Sequence, residues 1–158
     1  DTLKRMNRKY DLNKFEERIK YIKDNIEDVS ITTDVIVGFP NETEQDFNDT
    51  LEVVNECKFD GAYTFIFSPR VGTPAAKMVD NIDLETKNER LYKLNELINK
   101  YSKEANDRYL NTTVPVLIEG ISDKDNTKLM GYTDTMKLVN VKGNKEDIGK
   151  IKNVKIFA

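Results

Sequence analysis

The segment TDVIVGFPNET (33–43) places a candidate binding turn directly after a run of β-branched residues. The run ends at Gly38 and Pro40, and Thr43 then offers a helix N-cap. Backbone N–H groups at such a turn bind anions, and ligands of parallel α/β folds bind beyond the carboxyl ends of strands. An ordinary strand-to-helix turn explains the same residues. Asp34, inside the apolar run, needs an ion-pair partner or a solvated face, and we expect a structural salt bridge.

A second segment, FIFSPRVGTPAA (65–76), has the same character. It again follows an apolar run and brings Phe67, Ser68 and Arg70 onto a loop made rigid by two prolines. The phenylalanine suits a wall for an apolar ring, and the arginine suits a carboxylate or a phosphate. A core phenylalanine and a surface cation are the alternative interpretation. Two such turns on neighbouring strands favour a shared ligand-binding edge.

Basic residues gather at both ends of the chain. The first ten residues hold four basic side chains, Arg8 among them, against one acid. Residues 1–111 carry a net charge of −5, whereas residues 112–158 hold 8 lysines against 6 acids. Lysines interleave with short apolar runs in this tail, at Lys137, Lys142, Lys150 and Lys152. Small β-barrels hold nucleic-acid backbones in this way, although solvated barrels show the same pattern.

The composition excludes several classes of site. The 158 residues include no histidine, which removes Ser-His-Asp and Cys-His catalysis and the usual zinc ligand. The single cysteine, Cys57, lies on a helix stripe, where we expect a core thiol. One thiolate cannot hold an iron–sulfur cluster, so we expect no metal site formed by this chain alone. No stretch approaches 18 apolar residues, and we expect no membrane contact.

Periodicity predicts two kinds of structure. Spacings of three and four predict helices over 12–26, from Thr43 to Cys57, and over 84–109, and Asp11 stands at the N-cap position of the first. Runs of β-branched residues predict strands over 31–37 and 62–68. After Asn111, short β-like runs follow at 114–121, 137–143 and 152–158, which suggests a small barrel or sandwich. We therefore expect an α/β domain over 1–111 and an all-β domain over 112–158.

Two strands are too few for a parallel sheet, which normally has several strands and both faces covered. We therefore expect this chain to be the carboxyl-terminal part of a larger protein, with the amino-terminal half as its partner. Because both strands look apolar on both faces, we also expect an exposed strand edge and self-association of the isolated chain.

Three motifs carry a family resemblance. LKRMNRKY (3–10), ITTDVIVGFPNETEQDF (31–47) and YTFIFSPRVGTPAAKM (63–78) resemble, in this order and spacing, the second half of radical S-adenosylmethionine (SAM) methylthiotransferases. KLMGYTDTMKLVNVKG (128–143) and IGKIKNV (148–154) are similar to their TRAM domain. The resemblance implies the last part of a partial (βα) radical SAM barrel followed by a small OB-like TRAM barrel, truncated if its last strand lies beyond residue 158.

The resemblance also implies an activity and its cofactors. Such enzymes attach a methylthio group to isopentenyladenosine beside the tRNA anticodon, using SAM and two 4Fe–4S clusters whose cysteines lie in regions outside this sequence. The segment alone is then expected to be inactive. The positions that match SAM contacts are Arg8, Ile36, Gly38, Phe67, Ser68 and Arg70. The anticodon stem-loop is expected to meet Tyr132, Lys137, Lys142 and Lys150; Tyr132 stands where many TRAM domains have arginine.

Two alternatives remain beside this interpretation. One is a stand-alone RNA-binding module whose α/β part is only a scaffold. The other is a methylthiotransferase that acts on threonylcarbamoyladenosine in tRNA, although the string TFIFSPRVGTPAA favours the isopentenyl substrate. In each case the protein is expected in the cytoplasm. A C-x-x-x-C-x-x-C run about a hundred residues upstream would decide for the enzyme.

Overall fold

The computed structural model describes residues 2–157 and divides the chain into two compact units, one up to Lys103 and one from Glu104. The helices are α1 (Thr2–Arg5), α2 (Leu12–Asn25), α3 (Glu44–Cys57) and α4 (Leu84–Asp107). The strands are β1 (Thr32–Val37), β2 (Gly61–Ile66), β3 (Thr113–Ile121), β4 (Leu129–Thr133), β5 (Leu138–Val141) and β6 (Ile151–Lys155). Short 3₁₀ turns cover Pro74–Lys77 and Lys145–Asp147. The predicted α/β and all-β parts are both present.

In the first unit, β1 and β2 pair in parallel, with Ile36 opposite Phe65. One face of this pair packs against the helices through Val37, which is fully buried. The core of the unit also contains Ile19, Phe47, Val54, Cys57, Phe59, Leu94, Ile98 and Tyr101. The expected core position of Cys57 is confirmed.

The two predicted helix caps are confirmed. The Asp11 carboxylate accepts a hydrogen bond from the Lys14 amide at 2.9 Å, at the start of α2. Thr43 and Asp46 form a reciprocal capping box at the start of α3, because each side chain accepts from the other residue's backbone N–H. Such caps satisfy amides that have no partner inside the helix and fix where it begins.

The other face of the two-stranded sheet differs from the prediction. Tyr63 and Phe65 are 72% and 51% exposed on this face. Asp34, directly opposite Tyr63, is also exposed, and no ion pair to it is found among residues 2–157. The expected salt bridge of Asp34 was therefore wrong, because its carboxylate lies on a solvated face. The face is thus mixed in polarity rather than apolar throughout.

The second unit is an antiparallel sheet in the order β5-β4-β3-β6. Its buried core consists of Val116, Ile118, Leu129 and Val154. The sequence pattern missed β4, whose central Gly131 approaches the backbone of Leu117 so closely that a Cβ would overlap its carbonyl. Within residues 2–157, β5 and β6 each pair with one strand only, so the sheet is open and the barrel is not confirmed.

No helix among the described residues is long and apolar enough to cross a membrane.

Candidate functional site

The carboxyl ends of β1 and β2 lie side by side, because the strands are parallel and in register. The pairing extends one residue beyond β2, where the Phe67 amide donates to the Val37 carbonyl at 2.8 Å. The rings of Phe39 and Phe67 then meet edge to face, with centroids 5.0 Å apart. The structure thus brings the predicted Gly38 and Phe67 to one edge, next to Ile36.

Gly38 opens the turn between β1 and α3, hereafter the β1–α3 turn (residues 38–43). Its φ of 70° lies in the left-handed region, which favours glycine. A Cβ there would lie 2.6 Å from Lys87 Cγ, so the position also lacks room for a side chain. The Gly38 amide donates to Glu42 Oε2 at 2.8 Å, inside the same turn.

A buried ion pair holds the turn from the side of α4. Arg90 Nη1 lies 2.8 Å from Glu42 Oε2, and these side chains are 7% and 4% exposed. Arg90 also donates to the Glu42 carbonyl at 3.2 Å and to Glu44 Oε2 at 3.1 Å. The guanidinium carbon lies 5.5 Å from the centre of the Phe47 ring. Removing one partner of such a pair costs about 3–5 kcal/mol, because the other charge stays buried.

Burial affects both Glu42 and Arg90. Burial raises the pKa of the Glu42 carboxyl, and the hydrogen bonds from Gly38 and Arg90 oppose that rise without cancelling it. Arg90 keeps one buried donor, its Nε, without a hydrogen-bond partner among residues 2–157. The charge of Arg90 therefore acts on the turn through its two Nη atoms.

The segment that follows the loop after β2 also bonds to this turn. The Asn41 amide donates to Asn81 Oδ1 at 2.9 Å, and Lys87 pairs with the neighbouring Asp80. The hydrogen bond from Lys87 lowers the pKa of the Asp80 carboxyl. The carboxyl end of the segment that carries Ser68 and Arg70 is thereby hydrogen-bonded to the β1–α3 turn.

The remaining predicted SAM contacts are on the surface. Ser68 and Arg70 are exposed on the loop after β2, and Arg8 is exposed after α1. In the first motif, it is Arg5 rather than Arg8 that reaches the β1–α3 turn: Arg5 donates to the Asn41 carbonyl at 3.0 Å and lies 3.8 Å from Asp46.

Sequence reasoning missed Arg5, Glu42, Lys87 and Arg90. A signal for two of them exists, because Lys87 and Arg90 continue the buried stripe of Leu94, Ile98 and Tyr101 at spacings of three and four. A charge on such a stripe indicates a buried partner, because an unpaired ion is too costly to bury.

The predicted RNA contacts lie on two parts of the second unit. Tyr132 stands opposite both Leu117 and Leu138, and Leu117 stands opposite Ile151, so these four side chains form a row across one sheet face. Lys142 instead lines a groove of about 700 Å³ over the apolar core, together with Lys128 and Lys152. Lys150 is exposed, and the Lys137 amide donates to Thr133 Oγ1 at 3.0 Å in the β4–β5 turn.

The donor set of the chain does not fit an iron–sulfur cluster. Cys57 is 4% exposed in the core of the first unit, and burial raises the pKa of its thiol, whereas a cluster needs several accessible thiolates. No group of three metal-ligating side chains occurs among residues 2–157. The strand ends, by contrast, bring Ile36 and the Phe67 ring to one edge, and apolar side chains of this kind suit the ring of an adenosyl group.

Two family models and several curated relatives match this chain in sequence. The Radical SAM superfamily model matches residues 1–54, and the TRAM domain model matches residues 107–158. The tRNA-2-methylthio-N(6)-dimethylallyladenosine synthase of Alkaliphilus oremlandii is 51% identical over 154 residues, which cover 98% of this chain and 33% of the relative. The enzyme of the same name from Bacillus subtilis is 51% identical over 156 residues, which cover 99% of this chain and 31% of the relative.

The chain thus spans about a third of the length of the curated relatives that it matches. The Radical SAM match covers β1 and most of α3, and the TRAM match covers the open antiparallel sheet. With half of its residues identical to these relatives over nearly its whole length, the chain belongs to the radical SAM methylthiotransferases.

Proposed function

We propose that this chain works as part of a radical SAM enzyme that adds a methylthio group to isopentenyladenosine beside the tRNA anticodon. The observation that carries the proposal is the 51% identity, over 98% of the chain, to a tRNA-2-methylthio-N(6)-dimethylallyladenosine synthase. The segment alone is inactive in this proposal, since its only cysteine is buried. The partner that completes it is the amino-terminal part of such an enzyme, in the cytoplasm, and that part holds the two 4Fe–4S clusters.

In this proposal the edge formed by β1 and β2 binds the adenosyl part of SAM. Ile36 and Phe67 supply apolar contact, Gly38 provides the left-handed bend beside them, and Ser68, Arg70 and Arg8 are the polar candidates. When bound to its cluster, SAM supplies the radical chemistry of the reaction. The residues of this chain bind and orient it, and the Phe39–Phe67 pair excludes water from one side.

The second unit is proposed to hold the anticodon stem-loop. We place the functional boundary at residues 111 and 112, so that the TRAM part begins just before β3. Lysine contacts to phosphates provide affinity without sequence preference, whereas a side chain such as Tyr132 stacks on an unpaired base. Lys137, Lys142 and Lys150 are the proposed phosphate contacts. Closure of the open sheet into an OB-like barrel belongs to the same proposal.

A chimera tests the SAM part of the proposal. This chain would replace the matching third of the Bacillus subtilis relative, so that the clusters and the rest of the enzyme come from that protein. We expect equilibrium dialysis with SAM to show binding that Phe67→Ala weakens about tenfold, the size of an aromatic contact of about 1.4 kcal/mol. Phe157→Ala, an exposed phenylalanine in the other unit, is the matched control. Equal affinities of the two variants would count against the assigned edge.

A further inference from the structure

We infer that Arg90, acting with Glu42 and Lys87, is a positioning residue that presets the β1–α3 turn for the adenosyl ligand. The inference rests on the proposed function and deepens it, because it assigns a task to three residues that are not among the predicted SAM contacts. All three are buried: Glu42 is 7%, Lys87 5% and Arg90 6% exposed.

The turn needs such support because its backbone is costly. Gly38 and Asn41 both have left-handed φ values, of 70° and 61°, within four residues. A non-glycine residue in this region persists only where its surroundings hold it. The Asn41 backbone is held on both sides, by Asn81 at its amide and by Arg5 at its carbonyl. Glu42 closes the turn by accepting from the Gly38 amide.

Arg90 fixes Glu42 in the orientation that this hydrogen bond needs. One Nη atom donates to both the side chain and the carbonyl of Glu42, and the other donates to Glu44 at the first turn of α3. A lysine cannot reach these acceptors at once, because its ammonium is a single point rather than a planar fork. Arg90 thereby links α4 directly to the carboxyl end of the turn and, through the Glu42 carboxylate, to Gly38 at its start.

A consequence follows for Gly38. Its N–H is already bonded to Glu42 at 2.8 Å, so it is not free to donate to a ligand. Its use at the strand end is steric: it has no side chain, and the stem of Lys87 packs over the place where a Cβ would be. The turn is therefore formed before the ligand arrives, which lowers the ordering cost of binding.

Amide hydrogen exchange of this chain tests the inference without any cofactor. In Arg90→Lys we expect the Gly38 amide to exchange at least about tenfold faster, while Val54, buried in the last turn of α3, stays within about twofold. Arg18→Lys, an exposed arginine of α2, is the matched control and should change neither amide. A purely stabilising role of Arg90 predicts instead that both amides accelerate together, and that result would overturn the inference.

Two further arms keep the test decisive. If Arg90→Lys does not fold, Glu42→Gln, which keeps the shape of the side chain, is judged by the same ratio of Gly38 to Val54 exchange. In the chimera with the Bacillus subtilis relative, Arg90→Lys should raise the KM for SAM about tenfold and leave kcat within twofold, because a positioning residue changes binding rather than chemistry. An inactive parent chimera would contradict the proposed function only, whereas unchanged Gly38 exchange would contradict the positioning role only.

Discussion

Arg90 Nη1 and Glu42 Oε2 lie 2.8 Å apart, and through this contact a residue of α4 sets the conformation of a turn 48 positions earlier in the chain. Both side chains are buried, so the loss of either one would leave the charge of the other buried and unpaired. The edge at the carboxyl ends of β1 and β2 thus depends on α4 as well, although only the two strands contribute to its surface.

The first prediction concerns the crowding at Gly38. Gly38→Ala and Gly72→Ala both place an alanine at positive φ, which costs about 1–2 kcal/mol. Only at Gly38 does the new Cβ also meet Lys87, so we expect a further loss of about 1–3 kcal/mol there. Urea unfolding of both variants measures the difference. Equal losses at the two glycines would mean that the contact with Lys87 has no energetic consequence.

The second prediction concerns acid stability. Burial alone would raise the pKa of Asp46, but hydrogen bonds from the Thr43 amide and hydroxyl lower it below its ordinary value. Because the folded-state pKa is the lower one, Asp46 stabilises the protein above about pH 4, and this contribution is lost as the pH falls further. Asp46→Asn should lower stability by about 1 kcal/mol at pH 7 and flatten the decline of Tm between pH 5 and 3.

The control for this acid prediction is Asp49→Asn, on the same helix. It removes an equal charge without removing a cap, since within residues 2–157 the Asp49 carboxylate accepts only from the Gln45 side chain. A parallel decline of Tm in all three proteins would show that Asp46 has no part in the acid response.

The third prediction concerns RNA. Titration of an anticodon stem-loop with this chain should give a dissociation constant no tighter than micromolar and a slope of log K against log salt of about −1.5 to −3, as expected for two to four phosphate contacts. Lys137→Glu and Lys142→Glu should each weaken binding several-fold. Lys20→Glu, an exposed lysine of α2, is the charge-matched control. Salt-independent binding, or equal effects of all three reversals, would rule out the tail as the RNA-holding element.

The fourth prediction concerns the open edges of the small sheet. β1 and β2 each have one neighbour among the described residues, and Tyr63 and Phe65 are exposed beside them. We therefore expect the 18.3 kDa chain to self-associate in sedimentation velocity as its concentration rises. Phe65→Lys should reduce the association, whereas Tyr92→Lys, at an aromatic residue that is 65% exposed on α4, should not. A strictly monomeric wild-type chain at high concentration is the contrary result.

The sequence was sufficient for features that depend on local patterns. The caps at Asp11 and Thr43 and the stripe that buries Cys57 follow from residue spacing alone, and the structure confirms them. The strand ends at Gly38 and Phe67 were also predictable, because parallel strands bring their carboxyl ends together.

Other features depend on contacts distant in sequence and could not be predicted in this way. The bond between Glu42 and Arg90 joins two positions that have no periodic relation, and the solvated face of Asp34 depends on which side of the sheet the helices cover. The strand β4 is short and carries a glycine at its centre, so its pattern is weak until β3 is placed beside it. Local spacing does not show which residues pair across the fold or which face of a sheet is covered.

The most direct test of the central claim is nucleoside analysis of tRNA from cells whose only methylthiotransferase of this kind is the chimera that carries this chain. We predict the methylthio form of isopentenyladenosine, and its loss when Phe67 and Arg90 are both replaced by alanine. Only the unmodified isopentenyladenosine, from a chimera that is folded and carries its clusters, would contradict the claim. Methylthio-threonylcarbamoyladenosine in its place would assign the chain to the other tRNA substrate.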